Sequence, residues 1–254
     1  MKVSIITVCF NSEKTIEDTI TSVLSQSYSN IEFIIIDGAS KDGTLKIIEK
    51  YRDKISVLLS EEDNGIYDAF NKGIKLATGD IVGILNSDDF YIDKQVISKI
   101  VNKFKEKEVD AVYADLLFIN KNKADKIIRY WKAGEYQHGM FEKGWMPPHP
   151  TFFVKREMYK KYGYYKTSLL YSADYELMLR LLHRYKISTA YFPEVIIKMR
   201  MGGFGNMSIE AKIQANIEDR KAWRYNGLKP GYFTLLKKPI SKISQFLKRS
   251  YKKN

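Results

Sequence analysis

Short apolar runs alternate with stretches of helical periodicity through the first third of the chain, and turn residues punctuate each change. Residues 3–9 are apolar and rich in β-branched side chains, which favours a buried strand. Ile16, Ile20 and Val23 or Leu24 then recur on one helical face, with Asn11 or Ser12 suited to cap that helix. A second strand is predicted over 31–36, ending at Asp37-Gly38, and Asp42-Gly43-Thr44 leads into a helix carrying Leu45, Ile47, Ile48 and Tyr51. A third strand at 55–59, a turn at Asp63-Asn64-Gly65 and a helix over 66–77 follow. Thr78-Gly79-Asp80 closes that helix before a fourth strand at 81–85. Repeated β-α-β units of this length predict an α/β fold, a mostly parallel sheet with helices on both faces. Ligands of such sheets bind beyond the carboxyl ends of the strands.

The pattern is mixed further on. It predicts a helix over 95–106, strands at 111–118 and 127–131, an irregular loop over 134–149, a strand at 151–154 and a helix over 156–162. A strongly amphipathic helix over 173–183, one or two strands within 189–199, a glycine-bearing loop at 201–206 and a helix over 209–223 complete the series. There is no internal repeat, low-complexity block or flexible linker. The expected organisation is one domain over 1–225, with a ligand-binding half at 1–110, a second half at 111–225 that completes the pocket, and a tail at 226–254.

Composition sharpens this picture in three places. The chain of 254 residues suffices for one substantial core, and no apolar run approaches the ~20 residues needed to span a bilayer. The start lacks the long apolar segment and small-residue cleavage site of a secretory signal, and the single cysteine, Cys9, excludes an internal disulfide. Cytoplasmic residence is therefore expected. Of the net charge of +12, nearly all lies in residues 220–254, which hold 11 Lys or Arg and no Asp or Glu. Ile240, Ile243 and Leu247 follow helical spacing there, with Lys242, Lys248 and Arg249 available for the polar side. That is the pattern of a helix lying on an anionic membrane surface, the alternative being a solvated helix packed on the domain.

Candidate chemistry gathers at the strand ends. The run at 81–85 climbs through Asn86-Ser87 to the adjacent carboxylates Asp88 and Asp89, which repel unless a cation or hydrogen-bond donors lie between them. A hard divalent ion suits such a pair, because Mg²⁺ takes one or two carboxylates together with substrate phosphates. The plainer alternative is that one of these acids caps the helix starting near Lys94. Phe10-Asn11 ends the first strand and Asp37 the second, an aromatic face and an acceptor suited to a nucleobase, although Asp37 before a glycine also reads as a turn residue. Lys72, with the N–H groups opening the helix at Ile66, offers charge to a phosphate or is merely a solvated helix residue.

Four segments carry a resemblance. Ser4 to Asn11, Ile34 to Thr44 (with Asp37-Gly-Ala-Ser-Lys-Asp42-Gly), Asp63 to Gly73 (with Asn64-Gly65-Ile-Tyr-Asp68 and Asn71-Lys72) and Leu85-Asn-Ser-Asp88-Asp89 occur in this order and spacing. Together they resemble family 2 glycosyltransferases of the GT-A fold, in particular bacterial enzymes that build O-antigen, capsule and colanic acid repeat units. The match runs over about residues 1–205. It implies that Phe10 stacks on the base of a nucleotide-sugar, that Asp37 accepts from that base, usually uracil, and that Asp88 lies against the ribose. Asn11, Asn71 and Lys72 belong to the same donor-binding set, and Asp89 is implied to bind Mn²⁺ or Mg²⁺ at the donor diphosphate. Asn86 stands where many relatives carry the first acid of an Asp-x-Asp motif, which lowers the charge at the site but still offers a carbonyl oxygen.

In the second half, Ser172-Ala-Asp174-Tyr-Glu176 resembles the segment whose aspartate acts as catalytic base; Asp174 is that residue, with Glu176 as the competing acid. His149, held between Pro148 and Pro150, is implied to contact metal, diphosphate or acceptor, or else to be structural. Arg200 and the glycines at 202, 203 and 205 resemble a segment that closes over the donor. The resemblance implies an inverting transfer to an oligosaccharide or lipid-linked acceptor at the inner face of the cytoplasmic membrane. Three rivals lack their signatures. A nicotinamide dehydrogenase needs a Gly-rich fingerprint where Phe10-Asn-Ser-Glu stands, and a sugar nucleotidyltransferase needs a basic Gly-rich loop near the start. A nucleic-acid-binding protein would explain the tail but not the acids and aromatic at the strand ends, so no nucleic-acid partner is expected.

Overall fold

The computed structural model describes residues 1–201, 208–231 and 234. Strand β1 (Val3–Cys9) is buried along its whole length, as a strand covered on both faces must be. Helix α1 (Ile16–Leu24), β2 (Ile31–Asp37), α2 (Thr44–Glu49), β3 (Val57–Ser60), α3 (Ile66–Leu76) and β4 (Ile81–Ile84) then alternate as the hydrophobic pattern predicts. Helix α1 is not capped by Asn11 or Ser12 side chains; Thr15 holds the N-cap position, and Asn11 takes a left-handed backbone with φ 48°.

After β4 come β5 (Phe90–Tyr91), α4 (Val96–Lys107), β6 (Ala111–Asn120), β7 (Lys123–Trp131), β8 (Phe153–Lys155), α5 (Arg156–Tyr162), α6 (Ala173–Met178), β9 (Thr189–Arg200) and α7 (Ile209–Tyr225). Among the described residues these strands form one sheet in the order β3-β2-β1-β4-β8-β6-β9-β5, with β7 paired to β6. The pairs β1–β2, β1–β4, β2–β3 and β6–β9 are parallel, while β8 runs against both β4 and β6. The second half therefore continues the sheet of the first, and both halves present their strand ends to one rim.

Two departures from the sequence pattern have identifiable causes. Phe90–Tyr91 forms a short strand because Phe90 pairs with Lys198 and Tyr91 with Ile197 of β9, a partner far along the chain. The expected strand at 151–154 begins at Phe153, since Thr151 belongs to a tight turn over His149–Thr151. Residues 189–199 hold a single strand whose register against β6 slips between Ala114 and Asp115, where Pro193 and Glu194 go unpaired. The basic segment from 232 onward lies outside the described residues apart from Thr234, as do the glycines at 202, 203 and 205.

Two glycines let layers approach. A Cβ at Gly73 on α3 would lie 2.4 Å from Ile6 Cγ2 of β1, and one at Gly83 on β4 would lie 2.3 Å from Phe153 Cε1 of β8. Gly83→Ala is expected to destabilise the fold by about 1–3 kcal/mol through this overlap. Denaturant unfolding measures it, and an unchanged midpoint would show that β4 and β8 do not pack as described.

Candidate functional site

The acidic turn sits where β4 ends. Asp89 N–H donates to the Asn86 carbonyl at 3.0 Å and closes the turn, while Thr19 Oγ1 of α1 donates to the Asp89 carbonyl at 2.7 Å. Helix α4 begins only at Val96, so neither Asp88 nor Asp89 caps it. Asp89 is fully buried: its Oδ2 accepts from Asn86 Nδ2 at 3.4 Å, whereas its Oδ1 and the Asn86 Oδ1 are buried without a partner. Burial first, and then the neighbouring Asp88 charge, push the Asp89 carboxyl well above the ordinary carboxylate range. Asp88 is only partly buried and its carboxyl is raised by desolvation, against the nearby charges of Arg200, Lys121 and His149. Of the two acids, Asp88 is therefore the one that meets the cleft, and Asp89 is the one carrying an unpartnered oxygen beneath it.

This donor set fits a hard divalent cation. It consists of carboxylate and amide oxygens, two of them, Asp89 Oδ1 and Asn86 Oδ1, buried without partners. Among the described residues no three His, Cys, Asp or Glu side chains form a cage of their own, so the substrate's oxygens would have to complete the coordination.

Arg200 departs from its expected place. Its Nη1 donates to the Asp88 carbonyl at 2.9 Å, its Nη2 pairs with the Asp18 carboxylate, and its guanidinium lies 4.8 Å from the Phe90 ring. It braces the acidic turn from the core side, with both arms occupied by the protein.

At the first two strand ends, Phe10 stands 62% exposed, an unusual position for a large aromatic beside a buried sheet and one suited to stacking. Asn11 ties the end of β1 to the loop after β2, taking Lys41 N–H on its Oδ1 at 2.9 Å while its own N–H donates to Ser40 Oγ at 2.8 Å. Asp37 is fully buried and occupied: Ser40 Oγ and Cys9 Sγ donate to Oδ1, and Ser40 N–H and Ser60 Oγ donate to Oδ2 at 3.0 and 2.7 Å. It organises the loop beneath the rim and presents no free face to a base. The acid that does lie beside Phe10 is Asp63, which the turn pattern did not single out. A Cβ at Gly38 would be 2.6 Å from Asp63 Oδ2 and 3.5 Å from Phe10 Cδ2, so both side chains close over the same glycine.

Two further residues of the expected donor-binding set are held by the protein's own groups. Asn71 is 8% exposed and its amide is engaged on both sides by the Tyr165 backbone, donating to the carbonyl and accepting from the N–H, each at 2.9 Å. It joins the two halves of the domain. Lys72 donates to the Glu62 carbonyl and pairs with Glu61, both at 2.8 Å, with Asp68 at 3.6 Å. The Glu61 pairing pushes its ammonium up, and a phosphate would have to displace these partners.

The second half brings Asp174 and His149 together. Asp174 lies in the first turn of α6, where a carboxylate is favoured by the helix N–H groups. Its Oδ2 is 3.3 Å from His149 Nδ1, and its Oδ1 accepts from Tyr67 Oη of α3 at 3.4 Å. Glu176 is excluded from the cleft: it is fully buried, accepting from Arg180 Nη2 at 2.8 Å and Asn226 Nδ2 at 3.0 Å. Glu218 of α7 takes the Leu170, Tyr171 and Ser172 N–H groups at 3.1, 2.7 and 3.1 Å, fixing the loop that leads into Asp174. Sequence reasoning missed Tyr67 and Glu218. Tyr67 lay inside a recognised motif, but no local spacing pairs Glu218 with a loop 46–48 residues earlier.

Comparison with known proteins identifies the family and the fold. The profile described as "Glycosyl transferase family 2" matches residues 4–163. An uncharacterised glycosyltransferase of Rickettsia typhi is 32% identical over 208 residues, and the alignment covers 78% of this chain but only 64% of that protein. The crystal structure of S. aureus TarS 1-349 in complex with UDP-GlcNAc shares the fold, with a TM-score of 0.70, 18% identity and coverage of 89% of this chain and 65% of the other. The Pyrobaculum calidifontis mannosyltransferase PcManGT in complex with GDP-Man and Mn²⁺ also does, at TM-score 0.62, 17% identity and coverage of 98% and 76%.

The raised acids make a signed prediction. A carboxyl lifted above its ordinary 3.8 favours the fold most below that pH and loses this contribution as pH rises. Without metal, the protein should therefore lose stability between pH 5 and 8, and Asp89→Asn should flatten the loss. Added Mn²⁺ should stabilise the wild type at pH 8 more than at pH 5 and leave Asp89→Asn unmoved. Thermal melts at the two pH values check this; an identical metal shift in both proteins would dismiss the acidic turn as the cation site.

Proposed function

The chain belongs to glycosyltransferase family 2, and we propose that it transfers a sugar from a UDP-sugar to a hydroxyl of a lipid-diphosphate-linked, cell-surface oligosaccharide with inversion at the anomeric carbon. The observation that carries this reading is the meeting, at one sheet rim, of the metal-suited oxygens of Asp88, Asp89 and Asn86 with Asp174 from the other half. His149 is near enough to Asp88 to affect it electrostatically and its Nδ1 lies 3.3 Å from Asp174 Oδ2, which supports one site for both ends of the reaction.

Phe10 offers its exposed face to the uracil ring, and Asp63, which closes over the same glycine, offers a carboxylate beside it. Asp88, Asp89 and the side-chain amide oxygen of Asn86 would hold Mn²⁺ or Mg²⁺, and such an ion would offset the charge that accumulates on the departing diphosphate. Asp174 takes the proton of the acceptor hydroxyl as that oxygen bonds to the anomeric carbon. The bond from that carbon to the diphosphate oxygen breaks with its electron pair on the leaving nucleotide. One displacement inverts the centre. Arg200 keeps Asp88 in place by gripping its carbonyl, and Glu218 keeps the Asp174 loop in place.

The basic tail supports a peripheral location at the inner leaflet, where each Lys or Arg near an anionic surface contributes ~1 kcal/mol. No helix among the described residues is long and apolar enough to cross a membrane.

Asp174→Asn is expected to abolish transfer while calorimetric binding of UDP with Mn²⁺ persists; near-normal turnover would dismiss Asp174 as the base. A screen of nucleotide-sugars for Mn²⁺-dependent release of free nucleoside diphosphate should single out a UDP-sugar, and silence across the panel would sink the donor reading. Deleting residues 232–254 should lower pelleting with anionic vesicles and spare turnover of a soluble acceptor, whereas unchanged pelleting would remove the membrane role.

A further inference from the structure

The Asp174 carboxylate is gripped on both sides by groups that belong to different parts of the fold. Tyr67 rises from the first turn of α3, directly after Gly65, whose φ of 103° starts that helix. His149 comes from the tight turn between Pro148 and Pro150, whose rings limit the backbone. Tyr67 has little freedom of its own: its ring stacks on Tyr165 at 5.7 Å and meets Phe70 edge-on at 5.9 Å. Burial and the Asp174 charge push the Tyr67 hydroxyl well above its ordinary range, so it remains a donor.

We propose that Tyr67 and His149 are positioning residues that fix the plane of the Asp174 carboxylate, with Tyr67 tying the base to the half that holds the donor. This rests on the assignment of Asp174 as base. A carboxylate at a helix start turns easily about its last torsion, whose wells are broad. A neighbour on each oxygen, the Tyr67 hydroxyl donating at 3.4 Å on one side and the His149 ring nitrogen in contact at 3.3 Å on the other, restricts that freedom. Each oxygen keeps a second lone pair, and the acceptor hydroxyl must approach in the plane they define. Alignment of base and nucleophile of this kind acts on the rate of transfer and leaves the binding of either substrate alone.

Tyr67→Phe removes one oxygen and keeps the aromatic stack, which makes it the direct test. It is expected to lower kcat about tenfold with the acceptor KM, the calorimetric affinity for UDP with Mn²⁺ and the melting temperature unchanged. On an Asp174→Asn background the same change should have no further effect on the residual rate. His149→Asn, whose side-chain nitrogen can replace Nδ1, should keep most of the rate that His149→Ala loses. Full kcat in Tyr67→Phe, an equal loss on the Asp174→Asn background, a loss of UDP affinity, or equal rates in His149→Asn and His149→Ala would each overturn the proposal while leaving the base assignment standing. Wild-type turnover in Asp174→Asn itself would instead remove the base assignment.

Discussion

Two neighbouring carboxylates cannot be placed in a buried turn without something to oppose their repulsion and their loss of water, and the region around Asp88 and Asp89 is built to that constraint. The backbone of the turn is held from three directions. Thr19 reaches it from α1, Arg200 from the end of β9, and the short strand β5 pins its exit to β9. Arg200 offsets part of the cost of the Asp89 carboxylate, but burial and the Asp88 charge outweigh it, and one Asp89 oxygen stays unpartnered with a raised proton affinity. A rigid scaffold around an unsatisfied pair of acids is what a cation site requires before the cation arrives.

The same logic explains why the second half continues the first half's sheet. Strands β8 and β6 extend the sheet beyond β4, and that continuation sets the loops bearing His149 and Asp174 over the same rim as the acids. Buried polar contacts then lock the halves together. Asn71 holds the Tyr165 backbone, Arg180 bridges the Tyr162 and Tyr164 carbonyls to Glu176, and Glu218 gathers the amides that precede Asp174. Such groups are costly to strand in a low-dielectric interior, so each contact specifies one arrangement more strictly than apolar packing does.

The residues expected at the donor that the fold engages with its own groups share a physical property. Asp37, Asn71, Lys72 and Arg200 carry groups that bind a donor or brace a loop with equal ease, and the choice depends on which partners the fold brings near. Serines at 40 and 60 surround Asp37, the Tyr165 backbone claims Asn71, Glu61 claims Lys72, and the Asp88 carbonyl and Asp18 claim Arg200. Asp63 and Tyr67 were passed over because their neighbours, Gly38 and Asp174, come from other parts of the chain.

By itself the sequence determined the alternation of strands and helices in the first half, the family resemblance, the acidic pair at the end of β4 and the aspartate opening a helix in the second half. Those features depend on local periodicity, turn chemistry and residue order, which a single chain displays directly. Only the tertiary structure decided which acid faces the cleft, which carboxylate lies beside Phe10, and that Tyr67 and His149 flank Asp174. Burial and hydrogen-bond partnership are set by contacts between residues as much as 182 positions apart, such as Asp18 with Arg200, and no local pattern encodes them.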